Sequence, residues 1–193
     1  MSSDEVRTIA KELSPKLSAL SDDILLNEKL FKRVKSVYDN KDTLELRVDQ
    51  KTLLEVTYKS FVRGGANLNE NEKQQLRDLN QEISKLSLKF GENLLAETNS
   101  FEVVIDKESD LAGLPADIIA AAAQTAIERG HKGKWVFTTH RPSKNPFLTY
   151  AENRELRKAV YNGYTHRGDN NNEFDNKKLA SKIADRKSTR LNS

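Results

Sequence analysis

The sequence predicts a mainly α-helical fold: several amphipathic helices packed antiparallel, with one short two-stranded β element. Three observations carry this. Leu76, Leu79, Ile83, Leu86, Phe90 and Leu94 recur at steps of three and four, the period of one helix face. Only two short runs, Phe101–Ile105 and Trp135–Thr139, switch to β-branched and aromatic composition. The 36% hydrophobic and 32% charged residues are the balance of amphipathic helices with solvated outer faces, and 193 residues suffice for one domain with a core.

At the N-terminus, Ser2 and Glu5 have capping-box spacing. Val6, Ile9, Leu13, Leu17, Leu20 and Ile24 follow at helical steps, the expected buried face. Pro15 has no N–H for the helix ladder, so it is placed as the first residue of a new helix capped by Ser14. The two helices, or one kinked helix, reach about Tyr38, and Asp39–Asp42 form a polar turn. A further helix is predicted over Asp49–Arg63, with Leu54, Tyr58 and Phe61 inward and Gly64-Gly65 as its stop. The longest helix covers Asn69–Asn99, capped by Asn69 with Glu72, and Leu88 and Leu95 give it a second apolar face. The short connection makes these last two helices antiparallel neighbours. Each large apolar side chain buried there is worth at most about 1.5–3 kcal/mol.

Between the two strands lies an Ala-rich helix, with Pro115 and Asp117 at its start and Gly130 as its stop. Isolated strand pairs are marginal, so this pair, read as antiparallel, must lie against helices. Arg141-Pro142 and Asn145-Pro146 read as two proline-marked turns, with a short helix beginning over Phe147–Tyr150. The next helix spans Asn153–His166, with Leu156, Val160 and Tyr164 inward, and Gly163 costs it about 1 kcal/mol against alanine. Gly168–Glu173 is a polar loop, and a last helix begins over Phe174–Ile183.

The chain has no cysteine, which excludes disulfide and thiolate chemistry and fits a reducing compartment. No apolar run approaches the ~20 residues of a membrane helix, and MSSDEVRTIAKEL lacks a signal-peptide layout, so the expectation is a cytoplasmic chain with no membrane partner. The net charge of +3 raises nucleic-acid binding, but the last nine residues, Asp185–Ser193, reverse-translate codon for codon to a common short-read sequencing adapter. Without Arg186, Lys187, Arg190 and Asp185 the counts of 32 and 29 fall to 29 basic and 28 acidic residues, a charge of +1, which leaves little to capture a polyanion.

No stretch names a reaction. His131, His140 and His166 share no i, i+4 spacing, and no H-E-x-x-H occurs, so the three read as surface histidines, His166 favourably near a helix C-terminus. No serine sits in G-x-S-x-G. Gly64-Gly65 has no following G-K-[ST] and reads as a helix cap, Glu152 and Glu155 as a solvated face, and Trp135 and Phe137 as core. The basic residues from Lys29 to Lys35 alternate with apolar positions, as on any amphipathic helix.

Four stretches do carry a family likeness: LSPKLSALSDDILLNEKLFKRVKSVY (13–38), FVRGGANLNENEKQQLRDLNQEISKLSLKFGENLLAETNSFEVVI (61–105), LAGLPADIIAAAAQTA (111–126) and GKWVFTTHRPSKNPFLTYAENRELRKAVYNGYTHRG (133–168). In this order and spacing they resemble the N-terminal half of the thimet-oligopeptidase-like family of zinc metallopeptidases, nearest its bacterial peptidyl-dipeptidase branch and next its oligopeptidase A branch, over about Ser3–Ile183. The resemblance implies a helical ellipsoid of two halves around a channel that admits short peptides, with this part supplying helices of one wall. It also implies that the zinc-binding H-E-x-x-H helix, the further glutamate ligand and the tyrosine and histidine substrate contacts lie beyond this chain. No catalytic, cofactor-binding or metal residue is therefore expected here. The intact parent would use zinc to polarise the scissile carbonyl and activate water, releasing C-terminal dipeptides from oligopeptides. Residues 1–184 are then a partial N-terminal helical region, 185–193 an adapter-derived tail, and the partners short oligopeptides and the missing C-terminal catalytic half. Lys144-Asn145 stands where relatives are more apolar. The alternative is a free-standing helical module that binds a protein or peptide.

Overall fold

The computed structural model describes residues 4–191. Among these, eight α-helices and one small sheet occur in the order α1 (Asp4–Leu25), α2 (Glu28–Asp39), α3 (Val48–Arg63), α4 (Glu70–Ser100), β1 (Val103–Ile105), a 3-10 turn (Glu108–Leu111), α5 (Ala116–Glu128), β2 (Trp135–Phe137), α6 (Arg141–Tyr150), α7 (Arg154–Thr165) and α8 (Lys177–Leu191). The mainly α fold with one antiparallel strand pair is as predicted. By internal packing the described chain divides into two units, 4–89 with 181–191, and Phe90–Ala180.

In the first unit α1 runs through Pro15 unbroken, which corrects the predicted restart. Pro15 forfeits one ladder hydrogen bond. Ser14, cast as the cap, instead shares a 2.7 Å hydrogen bond with Ser84 of α4. The break falls at Leu26-Asn27, where Asn27 Oδ1 accepts from the Leu30 N–H and caps α2. Ser2 of the predicted capping box lies outside the described residues.

Asp22 accepts from Asn80 (2.6 Å) and Asp23 pairs with Arg77 (2.7 Å). With Ser14–Ser84, α1 numbers rise as α4 numbers fall, so the two helices run antiparallel through polar side chains. The predicted inward stripe is not inward: Val6, Ile9, Leu13, Leu17, Leu20 and Ile24 are all 47–62% exposed. A periodic stripe says that a face exists; the partner that covers it is a tertiary matter.

The helix packed closely on α3 is α2, and the predicted α3–α4 neighbours are not among the closely packed pairs. Phe31, Phe61 and Ala66 form the buried cluster, with Tyr58 and Val34 against it. Phe31 stacks on Phe61 (6.0 Å) and Tyr38 lies flat on Tyr58 (3.9 Å), which fixes α2 antiparallel to α3. After α3, Gly65 turns the chain at φ +95, and a Cβ there would come within 2.5 Å of Leu76. The predicted capping box of α4 is present: Asn69 Oδ1 accepts from the Glu72 N–H (3.0 Å) and Glu72 accepts from the Asn69 N–H (2.9 Å). Arg186 of α8 donates to Glu82 of α4 at 2.8 Å.

In the second unit β1 and β2 pair in the register Val103–Phe137, Val104–Val136, Ile105–Trp135, and α5 packs on β2. The core gathers Ile105, Leu111, Leu114, Ala122, Phe137, Phe147, Ala151 and Val160. The two predicted proline turns are instead one helix, α6, from Arg141. Pro142 sits in the first turn, where no N–H is needed, and Pro146 gives up a single bond beside Phe147, whose ring packs tilted against Phe137 with centroids 4.3 Å apart. The helix predicted over Asn153–His166 is α7, and Asn153 caps it, its side chain accepting from the Glu155 and Leu156 N–H groups. Gly163 of α7 has a reason to be glycine: a Cβ would sit 2.0 Å from the Phe101 ring. The last helix starts at Lys177 and not at Phe174, because Asp175 accepts from the Asn171 and Lys177 N–H groups and ties 171–176 into a turn.

Candidate functional site

The chemistry-bearing groups of the second unit gather around the C-terminal turns of α4. Glu97 is 6% exposed in the last turn, where the helix dipole disfavours an anion. It is met by donors from the loop after α7: the Gly168 N–H, Asn170 Nδ2 (2.8 Å) and Asn172 Nδ2 (2.7 Å). Burial pushes its carboxyl up, and the three hydrogen bonds outweigh that and hold it below the usual range. One turn earlier, Asn93 donates to Asn176 (3.1 Å), which itself donates to the Phe90 carbonyl (3.0 Å). Beside Glu97 opens a cavity of about 570 Å³, lined among others by Phe101, Gly163, His166 and Asn170.

This cavity does not hold a nucleophile and base in working order. Ser100 donates to the Glu97 carbonyl (3.1 Å), and His166 turns its Nδ1 to the Asn162 carbonyl (3.0 Å). Glu97 is a fixed anion already accepting three hydrogen bonds, which makes it an anchor for the loop rather than a proton carrier.

The three histidines are not brought together. His140 stands at the N-cap of α6 and His166 at the C-cap of α7, both exposed. His131 departs from the surface reading: it is half-buried, with Nε2 2.8 Å from Glu102. Glu102 also accepts from Arg129, whose guanidinium donates to the Asn99 carbonyl at 2.9 Å. The hydrogen bond from His131, with help from Arg129, holds the Glu102 carboxyl below its usual range. A cation thus satisfies the end of α4, which carries no basic residue in its own last turn. Among the described residues no three His, Cys, Asp or Glu side chains converge as a metal site.

Sequence reasoning missed Glu97 and Glu102, and singled out Lys144 only as standing where relatives are more apolar. Lys144 is 8% exposed inside α6, and its Nζ lies 3.3 Å from the centre of the Tyr164 ring, with Arg167 4.1 Å from that ring. The Asn170-Asn171-Asn172 run, three side-chain amides in succession, was the available signal for Glu97.

No protein-family model matches the chain. Individual relatives do. The dipeptidyl carboxypeptidase of Escherichia coli is 30% identical over 182 residues, 94% of this chain and 27% of its own length. Oligopeptidase A of Haemophilus influenzae is 31% identical over 185 residues, 94% and 27%. Over its length this chain is homologous to the thimet-oligopeptidase-like peptidases. A further relative in this family, named "Probable cytosolic oligopeptidase A" in Arabidopsis thaliana, is 29% identical over 93% of the chain and 26% of its own length. The chain spans about a quarter of the length of these curated relatives.

Proposed function

We propose that the chain is part of a zinc-dependent oligopeptidase of the peptidyl-dipeptidase kind, which releases C-terminal dipeptides from short peptides. In this reading its helices form one wall of the substrate channel, and the residues that hold the metal belong to polypeptide beyond it. The carrying observation is the coverage: relatives named as peptidases match 94% of the chain with only 27% of their own length. One feature supports it. On the outer side of α3, Val48, Leu53 and Val56 are 60–83% exposed, and Leu53 rims an apolar groove of about 400 Å³ with Val37 and Leu46. An apolar surface of this kind is what a structure leaves where further chain packs; a free-standing module should cover it.

The reading places the parent in the cytoplasm, as the name of the Arabidopsis relative supports. No helix of the described residues is long and apolar enough to cross a membrane. It assigns no nucleic-acid partner, so retention on DNA should be absent or insensitive to salt.

The test is hydrolysis of an internally quenched oligopeptide by the purified 193-residue chain with added zinc. No turnover is expected. Turnover that survives removal of trace protease refutes the reading. An in-frame H-E-x-x-H in the genomic DNA downstream would be the matching positive result.

A further inference from the structure

A helix docks firmly on its neighbour when docking takes large apolar side chains out of water. Most of α1 does not do this. None of residues 5–21 is buried, and every Val, Leu and Ile among them is exposed. The side turned to α4 carries hydroxyls instead. Ser14, Ser18 and Ser21, with Asn80 and Ser84 of α4, line a cavity of about 360 Å³ between the two helices. A space of this size and polarity has room for water, which competes for the hydrogen bonds that tie the helices together. The tie from Asp23 to Arg77 is a solvated ion pair, of the kind that holds little.

The anchoring changes abruptly at the end of the helix. Leu26 is buried beside Gly65, and Leu25 packs on the cluster of Phe31, Phe61 and Ala66. Pro15 meanwhile removes a ladder bond midway along α1. The stretches before and after it are each shorter than the ~12–15 residues that an isolated helix needs in water, so α1 off its neighbour does not stay helical.

We propose that residues 4–21 form a strap that lifts off α4 and melts as a unit, hinged on the Leu25–Leu26 anchor, while α2, α3 and α4 stay folded. Lifting uncovers Asn80, Ile83 and Ser84, so the strap gates access to that stretch of α4. The inference goes beyond the peptidase reading and does not depend on it.

Native-state hydrogen exchange of the whole chain, read by mass spectrometry, is the first test. Peptides from residues 4–21 should exchange at least about a hundredfold faster than those from α3. Their rate should hardly change with urea below the unfolding transition, because a local opening exposes little surface.

A lock separates lifting from simple fraying of the chain end. The Ser14 and Ser84 oxygens lie 2.7 Å apart and the chain has no cysteine, so Ser14→Cys combined with Ser84→Cys can form one disulfide, which pins the strap. Oxidation should slow exchange over residues 4–21 at least about tenfold and leave α3 unchanged, and reduction should restore it. Ser18→Leu, which fills the cavity with an apolar side chain, should slow it in the same direction and carries the test if the cysteines do not link. Far-UV circular dichroism checks that the variants keep the helical content of the parent. Exchange over residues 4–21 within about tenfold of α3 overturns the proposal. So does exchange that rises with urea in step with α3, or a closed disulfide or filled cavity that leaves the rate unchanged.

Discussion

The two units of the molecule are held together by different means. In Phe90–Ala180, eight apolar residues from two strands, three helices and the turns between them converge, and Phe147 and Val160 are wholly buried. In the helical unit the buried cluster is Phe31, Phe61 and Ala66, and α1 meets α4 through serine, asparagine and an ion pair. Each such polar contact nets only about 0.5–1.5 kcal/mol against water, whereas a fully buried Phe contributes about 1.5–3 kcal/mol. The mixed unit carries its own core, while the helical unit leaves much of its apolar surface uncovered. The amphipathic pattern is equally clear in both, so pattern strength is no guide to which faces are covered.

The largest expected effect breaks that contrast at its strong end. Phe147→Ala empties the centre of the mixed unit and should cost about 3–5 kcal/mol, read by urea unfolding. Phe61→Ala, in the smaller and looser cluster, should cost clearly less, because its surroundings can collapse. Equal losses would mean that the two cores are equally tight.

Two glycines sharpen the comparison within the mixed unit. Gly163→Ala drives a methyl into the Phe101 ring and should destabilise by about 1–3 kcal/mol. Gly91→Ala, in α4 with open space around its Cβ, should stabilise by about 0.5–1 kcal/mol, so the same substitution changes sign with its surroundings. Thermal melts of the two variants separate the outcomes.

Glu97→Gln keeps the size but presents an amide N–H₂ to a ring of donors, which should cost about 1–3 kcal/mol. The folded-state carboxyls of Glu97 and Glu102 are both lowered. Their contribution is therefore complete above the ordinary carboxylate pKa and disappears as pH falls through the lower folded value. Stability against pH on the acid side should be flatter for Glu97→Gln than for the parent, as chemical unfolding at a series of pH values will show. The smallest effect belongs to the helical unit: Asn69→Ala removes half the capping box of α4 and should cost about 1 kcal/mol, seen as a modest drop in the unfolding midpoint.

Much of the fold was legible in the residues. The α4 capping box, the helix after Asn153, the Ala-rich helix ended by Gly130 and the two β runs all stand where pattern puts them. The misses cluster at proline and at burial. Pro15 and Pro146 lie within helices because the turns on either side keep their bonds, so one lost bond does not end the helix. The candidate site was mostly illegible: Glu97 draws its donors from residues more than seventy positions away, and Lys144 meets an aromatic ring on another helix.

By itself the sequence determined which segments are helical or extended, where most of them are capped, and which family their order resembles, because propensity, period and capping act within about four residues. Only the tertiary structure decided that α1 turns Ser14 to α4 and Leu13, Leu17 and Leu20 outward, and that α3 pairs with α2. Those choices are set by contacts between distant segments, and a periodic stripe carries no record of what it faces.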